Sequence, residues 1–302
     1  MTQLTPSNMP EARRSLGRLI AAMLERAWRE SPPPVELSAE QLNQIAAPLQ
    51  GSGAGALGWW RVRNSELKET AAGLELHEAY RRHSLQSAIH ESEIKQVFTL
   101  LRSGGVEPVL VKGWAAARFY PEKGLRPYGD IDLCFASEEY PKARATLSSP
   151  EGRVFNVDSH RDLTMLDDRR FDDLLARSRL IKLGEVDVRV FAPEDELRIL
   201  SVHMLRHGAW RPLWLCDIAA MVESRAANFD WDLCLGRRKR QADWIACTIG
   251  LAGRLLRASI EDTPAAGRAK QLPGWLTSTV LKQWETYPAL RTPLTRQRAL
   301  RT

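Results

Sequence analysis

The stretch Arg126-Pro127-Tyr128-Gly129-Asp130-Ile131-Asp132-Leu133-Cys134-Phe135 decides the fold class, because its second half alternates polar and apolar side chains with period two. That alternation predicts a half-buried strand and sends Asp130 and Asp132 to the same face. Two like charges held so close repel, and a divalent cation relieves the repulsion. Magnesium takes oxygen ligands and often uses one or two carboxylates together with substrate phosphates, so such a strand suits phosphoryl transfer. On its own, Asp-x-Asp is also what a solvated strand edge carries.

Upstream, Pro108-Val109-Leu110-Val111 is a short run of β-formers, followed by Lys112-Gly113 and a helical pattern from Trp114 to Tyr120 that stops before Pro121. A helix start presents free amides to anions. Gly113 permits close backbone approach and Lys112 adds a point charge, which fits a phosphate-binding turn; a simple strand-to-helix turn is the structural alternative.

Downstream, the pattern predicts a helix over Tyr140 to Leu147, a strand over Arg153 to His160, a helix over Phe171 to Ser178 and a strand over Val186 to Phe191. Helical periodicity then dominates: Glu194 to His207, Pro212 to Arg225, Trp231 to Leu256 with a break near Gly236, and Gly274 to Thr286. At the other end, residues 11–29 predict a helix stopped by Ser31-Pro32-Pro33-Pro34. Ser38-Ala39-Glu40-Gln41 caps a second, and Gly51-Ser52-Gly53-Ala54-Gly55 breaks the chain again. One or two long helices fill Asn64 to Ser103, with Leu74, Leu85, Ile89, Ile94, Val97, Leu100 and Leu101 as the apolar face. The expected class is α/β (α+β): a helical appendage over 1–62, a small mixed sheet in 63–192 and a helical region over 193–302.

The chain has 302 residues, 44% hydrophobic and 26% charged, which excludes a disordered or fibrous protein. Its net charge of +6 is largely arginine, a side chain whose planar fork pairs with oxyanions, although a solvated basic surface explains charge alone. Cys134, Cys216, Cys234 and Cys247 lack any CxxC spacing, so neither a zinc site nor a disulfide framework is expected, and a reducing cytoplasm fits. The run from Ile245 to Leu256 is too short to span a bilayer, and Met1 to Arg14 lacks the apolar core of a secretory signal. A cytoplasmic protein with no membrane partner is the expectation.

Taken together, Val109-Leu110-Val111-Lys112-Gly113, Phe119-Tyr120-Pro121 and Leu125-Arg126-Pro127-Tyr128-Gly129-Asp130-Ile131-Asp132-Leu133 resemble the DNA polymerase β-like nucleotidyltransferases, specifically bacterial nucleotidyltransferase family 5. The resemblance runs from about residue 75 to 225. It implies transfer of a nucleoside monophosphate from a nucleoside triphosphate to an acceptor, at two magnesium ions held by Asp130 and Asp132, with manganese the alternative. A third carboxylate from a neighbouring strand completes such a site and helps deprotonate the attacking hydroxyl. Asp158, in Asp158-Ser159-His160, is preferred for that place, with Asp187 in reserve. Lys112, Gly113, Gly129 and His160 are then expected beside the substrate. The chain departs from the usual Gly-Ser or Gly-Gly at the phosphate turn, having Gly113-Trp114.

Several residues keep two readings. Arg126 either contacts phosphate or shapes the loop before Asp130. Trp114 either stacks on a base or packs in the core. His203 and His207, four apart, are expected as core or helix-end histidines, because the glutamate of a zinc-protease helix is missing. Arg237-Arg238-Lys239-Arg240 reads as a solvated helix surface before it reads as a nucleic-acid contact. The rival functional classes are a catalytically silent binding protein and a toxin-like transferase acting on nucleic acid.

Overall fold

All five residues of Ile131–Phe135 are buried, so this strand lies inside a sheet covered on both faces. The computed structural model, which describes residues 15–163, 169–269 and 271–285, has a five-stranded mixed sheet. Its strands are β1 (Val109–Leu110), β2 (Ile131–Phe135), β3 (Val157–Arg161), β4 (Arg179–Leu183) and β5 (Val186–Val190), in the order β3-β2-β1-β5-β4. β1 is antiparallel to β2 and parallel to β5; β2 is parallel to β3, and β4 is antiparallel to β5.

Two differences from the sequence reading have local causes. β3 begins at Val157 rather than Arg153, because residues 152 and 153 donate back to the carbonyl of Ser149, 3.1 and 3.0 Å away, and close a turn. β4 carries no apolar alternation that marks a strand: it is an edge strand whose Leu180 and Lys182 face solvent. It is joined to β5 by Gly184-Glu185, a two-residue hairpin in which Gly184 takes φ +62°.

Thirteen α-helices surround the sheet among the described residues. The N-terminal ones are α1 (Leu16–Leu24), α2 (Ala39–Gly51), α3 (Gly55–Val62) and the long α4 (Ala71–Ser103). α5 (Gly113–Ala117), α6 (Tyr140–Leu147) and α7 (Phe171–Arg177) sit between strands. α8 (Pro193–Arg206), α9 (Pro212–Glu223), α10 (Trp231–Leu235), α11 (Lys239–Leu256), α12 (Ala266–Ala269) and α13 (Gly274–Glu285) follow. Ser38 caps α2 reciprocally with Gln41, as the sequence indicates. Gly236 breaks α10 from α11 at φ +71°. Residues 11–14 and Thr286, at the ends of expected helices, lie outside the described residues.

α4 buries a different stripe from the one expected. Leu74, Leu85 and Ile89 are exposed; Ala72 and Leu76 instead join the helical core, and His83, Ser87 and His90 turn inward where Ser84 meets the polar loop after α5. Its C-terminal half, from Ile94 to Leu101, packs with Ile131, Leu133 and Phe135 on one face of the sheet. The other face gathers Val109, Val111, Cys134 and Phe191 against Leu174 of α7 and Ile199 of α8. A third and larger core joins α1, α2 and α3 to α8, α9, α11 and α13. The N-terminal helices therefore bury their apolar faces against the C-terminal ones.

Candidate active site

Asp132 on β2 stands directly opposite Asp158 on β3, and Cys134 opposite His160, so all four side chains point to the same sheet face. Cys134 lies in the core beneath that face, whereas Asp132 lies nearer the end that opens into a cavity of about 640 Å³. Asp132, Asp158 and His160 present ligand atoms all within 4.8 Å of one another. His160 Nε2 is 3.0 Å from Asp132 Oδ1 and 3.3 Å from Asp158 Oδ2. Ionised carboxylates only accept hydrogen bonds, so Nε2 carries the proton and donates to them. Lys112 closes an ion pair on the same Oδ1 of Asp132.

These contacts set the charges. Burial works against the ionised form of Asp132, but the hydrogen bond from His160 and the ammonium of Lys112 outweigh it and hold the carboxyl below its usual range. Asp130, at the exposed start of β2, is pushed up, first by burial of its carboxyl and then by the charge of Asp132. One carboxylate is thus already balanced by the Lys112 ammonium, and the other still needs a counter-charge.

The turn that delivers Lys112 is strained. Lys112 has φ +53° and ψ −129°, a region that side-chain-bearing residues rarely adopt, while Gly113 starts α5 without a positive φ. The sequence reading gave the special backbone role to Gly113; the structure puts it one residue earlier. The backbone N–H of Val111 donates to the Asp132 carbonyl at 3.0 Å, which fixes the turn beside the carboxylate. Lys112→Gly is expected to unfold at higher urea than Lys112→Ala, by about 1–3 kcal/mol, since glycine releases the strain and alanine keeps it. Equal stability of the two variants would refute strain at this residue.

Arg126 is buried, and its guanidinium engages Asp217 of α9, with Nη2 2.8 Å from Oδ2 and Nε 3.1 Å from Oδ1. Tyr120 donates its hydroxyl to the same carboxylate at 2.7 Å. The pair with Asp217 anchors the segment before Asp130 to the helical region, and Arg126 also lines the cavity. Gly129 lies at the cavity edge with its carbonyl held by Asn156 at 2.7 Å. Asp187 stands away from the cavity, paired across β4 and β5 with Lys182 at 3.0 Å. Trp114 packs in the core under the sheet, donating to Glu91 at 3.3 Å. The basic run 237–240 is exposed, with Lys239 paired to Asp243 and Arg240 over Trp244.

The wall opposite the carboxylates was not legible as part of a site. It comes from the end of α8 and the start of α9: His203, Arg206, His207, Arg211 and Trp214. His203 and His207 do sit toward the helix end, as expected, but they face the cavity, 4.5 Å apart between ring centroids. Burial, then the charge of Lys112, pushes His203 down to about 3, so its ring is neutral. Their i, i+4 spacing was the available signal. What it lacked was the knowledge that α8 crosses above β2, where Arg118 after α5 meets Glu196 at 2.9 Å and Arg177 meets Asp195 at 3.0 Å.

A small mixed sheet thus carries carboxylates on neighbouring strands beside a lysine turn, with helices closing the cavity above them. The chain matches the family described as uncharacterised nucleotidyltransferase over residues 56–152 and 148–248, and it belongs to that family. No curated protein and no solved structure matches it. Among the described residues, no helix is long and apolar enough to cross a membrane.

Proposed function

We propose that this nucleotidyltransferase uses magnesium to move a nucleoside monophosphate from a nucleoside triphosphate to an acceptor hydroxyl or phosphate, releasing pyrophosphate. The observation that carries the reading is the register of Asp132 against Asp158, with Lys112 and His160 gathered on Asp132. A carboxylate that draws in two positively polarised groups is a place where a cation is stabilised, so the donor set fits a divalent ion. Asp130, Asp132 and Asp158 would hold it; their oxygens suit magnesium, with manganese as a substitute. When bound, magnesium neutralises charge on the attacking and leaving oxygens.

The chain's own residues supply the rest. Asp158 is half exposed and reachable, and one of its oxygens takes the proton of an acceptor hydroxyl. That hydroxyl oxygen bonds to the α-phosphorus while the bond from α-phosphorus to the bridging oxygen breaks, and pyrophosphate leaves with the electron pair. Lys112 stands where it can pair with phosphate oxygens, and His160 orients the two carboxylates by donating from Nε2. Gly113 and Gly129 both line the cavity, and Gly129 has open space where a side chain would stand.

The test is to titrate the purified protein with each labelled triphosphate and magnesium by calorimetry and to follow pyrophosphate release, beside Asp130→Ala/Asp132→Ala. Metal-dependent binding and turnover lost in the double variant is the expected result. Binding of no triphosphate would instead favour a silent nucleotidyltransferase fold.

A further inference from the structure

The cavity has two unlike ends. Its sheet end is polar and charged, with Lys112, Asp130, Asp132 and Asp158. Its helical end carries flat rings: Trp214 lies edge-on to His203, with centroids 4.8 Å apart at 82°, and at 5.5 Å from His207. Of the other rings on the lining, His160 is engaged with the carboxylates, and Tyr128 packs on His90 at 5.3 Å with its Cβ behind Gly113. A nucleotide whose phosphates lie at Lys112 has to direct its base away from the carboxylates. In the α8–α9 corner His207 presents an exposed ring, backed by the buried Trp214.

The corner is also one-sided in its hydrogen bonding. No Asp, Glu, Asn or Gln side chain lines it among the described residues. Arg206 lies exposed on the last turn of α8 and makes no ion pair or hydrogen bond with the described residues. Arg211 is engaged through Nε with the Ser52 carbonyl at 2.9 Å, facing the Trp210 and Trp214 rings. Guanidinium and indole groups only donate, and the neutral His203 imidazole adds one acceptor nitrogen. Guanine and uracil show oxo acceptors where adenine and cytosine show amino donors.

Resting on the nucleotidyltransferase reading of this cavity, we propose that the α8–α9 corner is the nucleobase subsite and that it selects oxo-edged bases. Guanine or uracil stacks against His207, and Arg206 donates to the oxo group. Adenine and cytosine place an amino donor against that guanidinium and bind more weakly.

The test measures, by calorimetry with magnesium, the affinity of the intact chain for GTP, UTP, ATP, CTP and inorganic triphosphate, beside Arg206→Ala and His207→Ala. Both side chains are exposed, so the variants keep the fold. GTP or UTP is expected to bind on the order of tenfold more tightly than ATP or CTP, the scale of one hydrogen bond to a charged donor. Arg206→Ala erases that preference, His207→Ala weakens all four nucleotides, and both variants bind inorganic triphosphate as the parent does. A preference for ATP or CTP, no preference, or a preference unchanged in both variants overturns the assignment. Loss of inorganic triphosphate binding in Arg206→Ala overturns it as well, since Arg206 would then be a phosphate contact. If the parent chain binds neither nucleotide nor inorganic triphosphate, the nucleotidyltransferase reading itself fails.

Discussion

Asp132→Asn should lower metal-dependent pyrophosphate release by about a thousandfold or more while the protein remains folded. The amide keeps the shape and one acceptor oxygen, so His160 and Lys112 retain a partner, but the charge that balances them and recruits a divalent ion is gone. Asp130→Ala should reach a similar loss of activity with still less effect on the fold, because Asp130 is exposed at the start of its strand. The check is a pair of measurements on each variant, turnover and thermal unfolding. Activity of Asp132→Asn within tenfold of the parent would remove this carboxylate from the reaction.

Arg126→Ala should destabilise the chain by about 3–5 kcal/mol, the usual consequence of breaking one partner out of a buried ion pair. Asp217 is fully buried, so after the substitution its carboxylate keeps only the Tyr120 hydroxyl among its side-chain partners described here. Burial and the charge of Asp217 also keep the Tyr120 hydroxyl protonated, well above its ordinary range. Replacing both partners together, Arg126→Leu with Asp217→Leu, should restore most of the loss, because no charge is then left stranded. Urea unfolding decides the matter: a single variant within about 1 kcal/mol of the parent would mean that water reaches the carboxylate.

The contrast between these two aspartates shows what the sequence could and could not say. Period-two alternation from Asp130 to Phe135 is a local pattern, and it placed the strand now seen over Ile131–Phe135, although that strand is buried on both faces rather than half-buried. The helix over Tyr140–Leu147 and the capped start of α2 were legible for the same reason. Asp217 carries no such signal: it sits in an apolar helical run, and its partner lies 91 residues away. Likewise, nothing around His203 and Trp214 announces that α8 and α9 close over β2, because that follows from packing rather than from periodicity. Strand β4 was missed because an edge strand can carry charges and exposed leucine on one side without disturbing its ladder. The displacement of strain from Gly113 to Lys112 was unreadable for another reason, since glycine is the default expectation wherever a turn is tight.

The largest core has a consequence for how the chain is made. α1 packs against α13, and the backbone amide of Gly17 reaches Glu285 at 3.2 Å, a separation of 268 residues. During synthesis α1 therefore emerges long before α13 can cover it, whereas α2 and α3 can pack against α4 as soon as that helix is made. The sheet closes later than that helical cluster, because β1 waits for β5, whose Val190 pairs with Leu110.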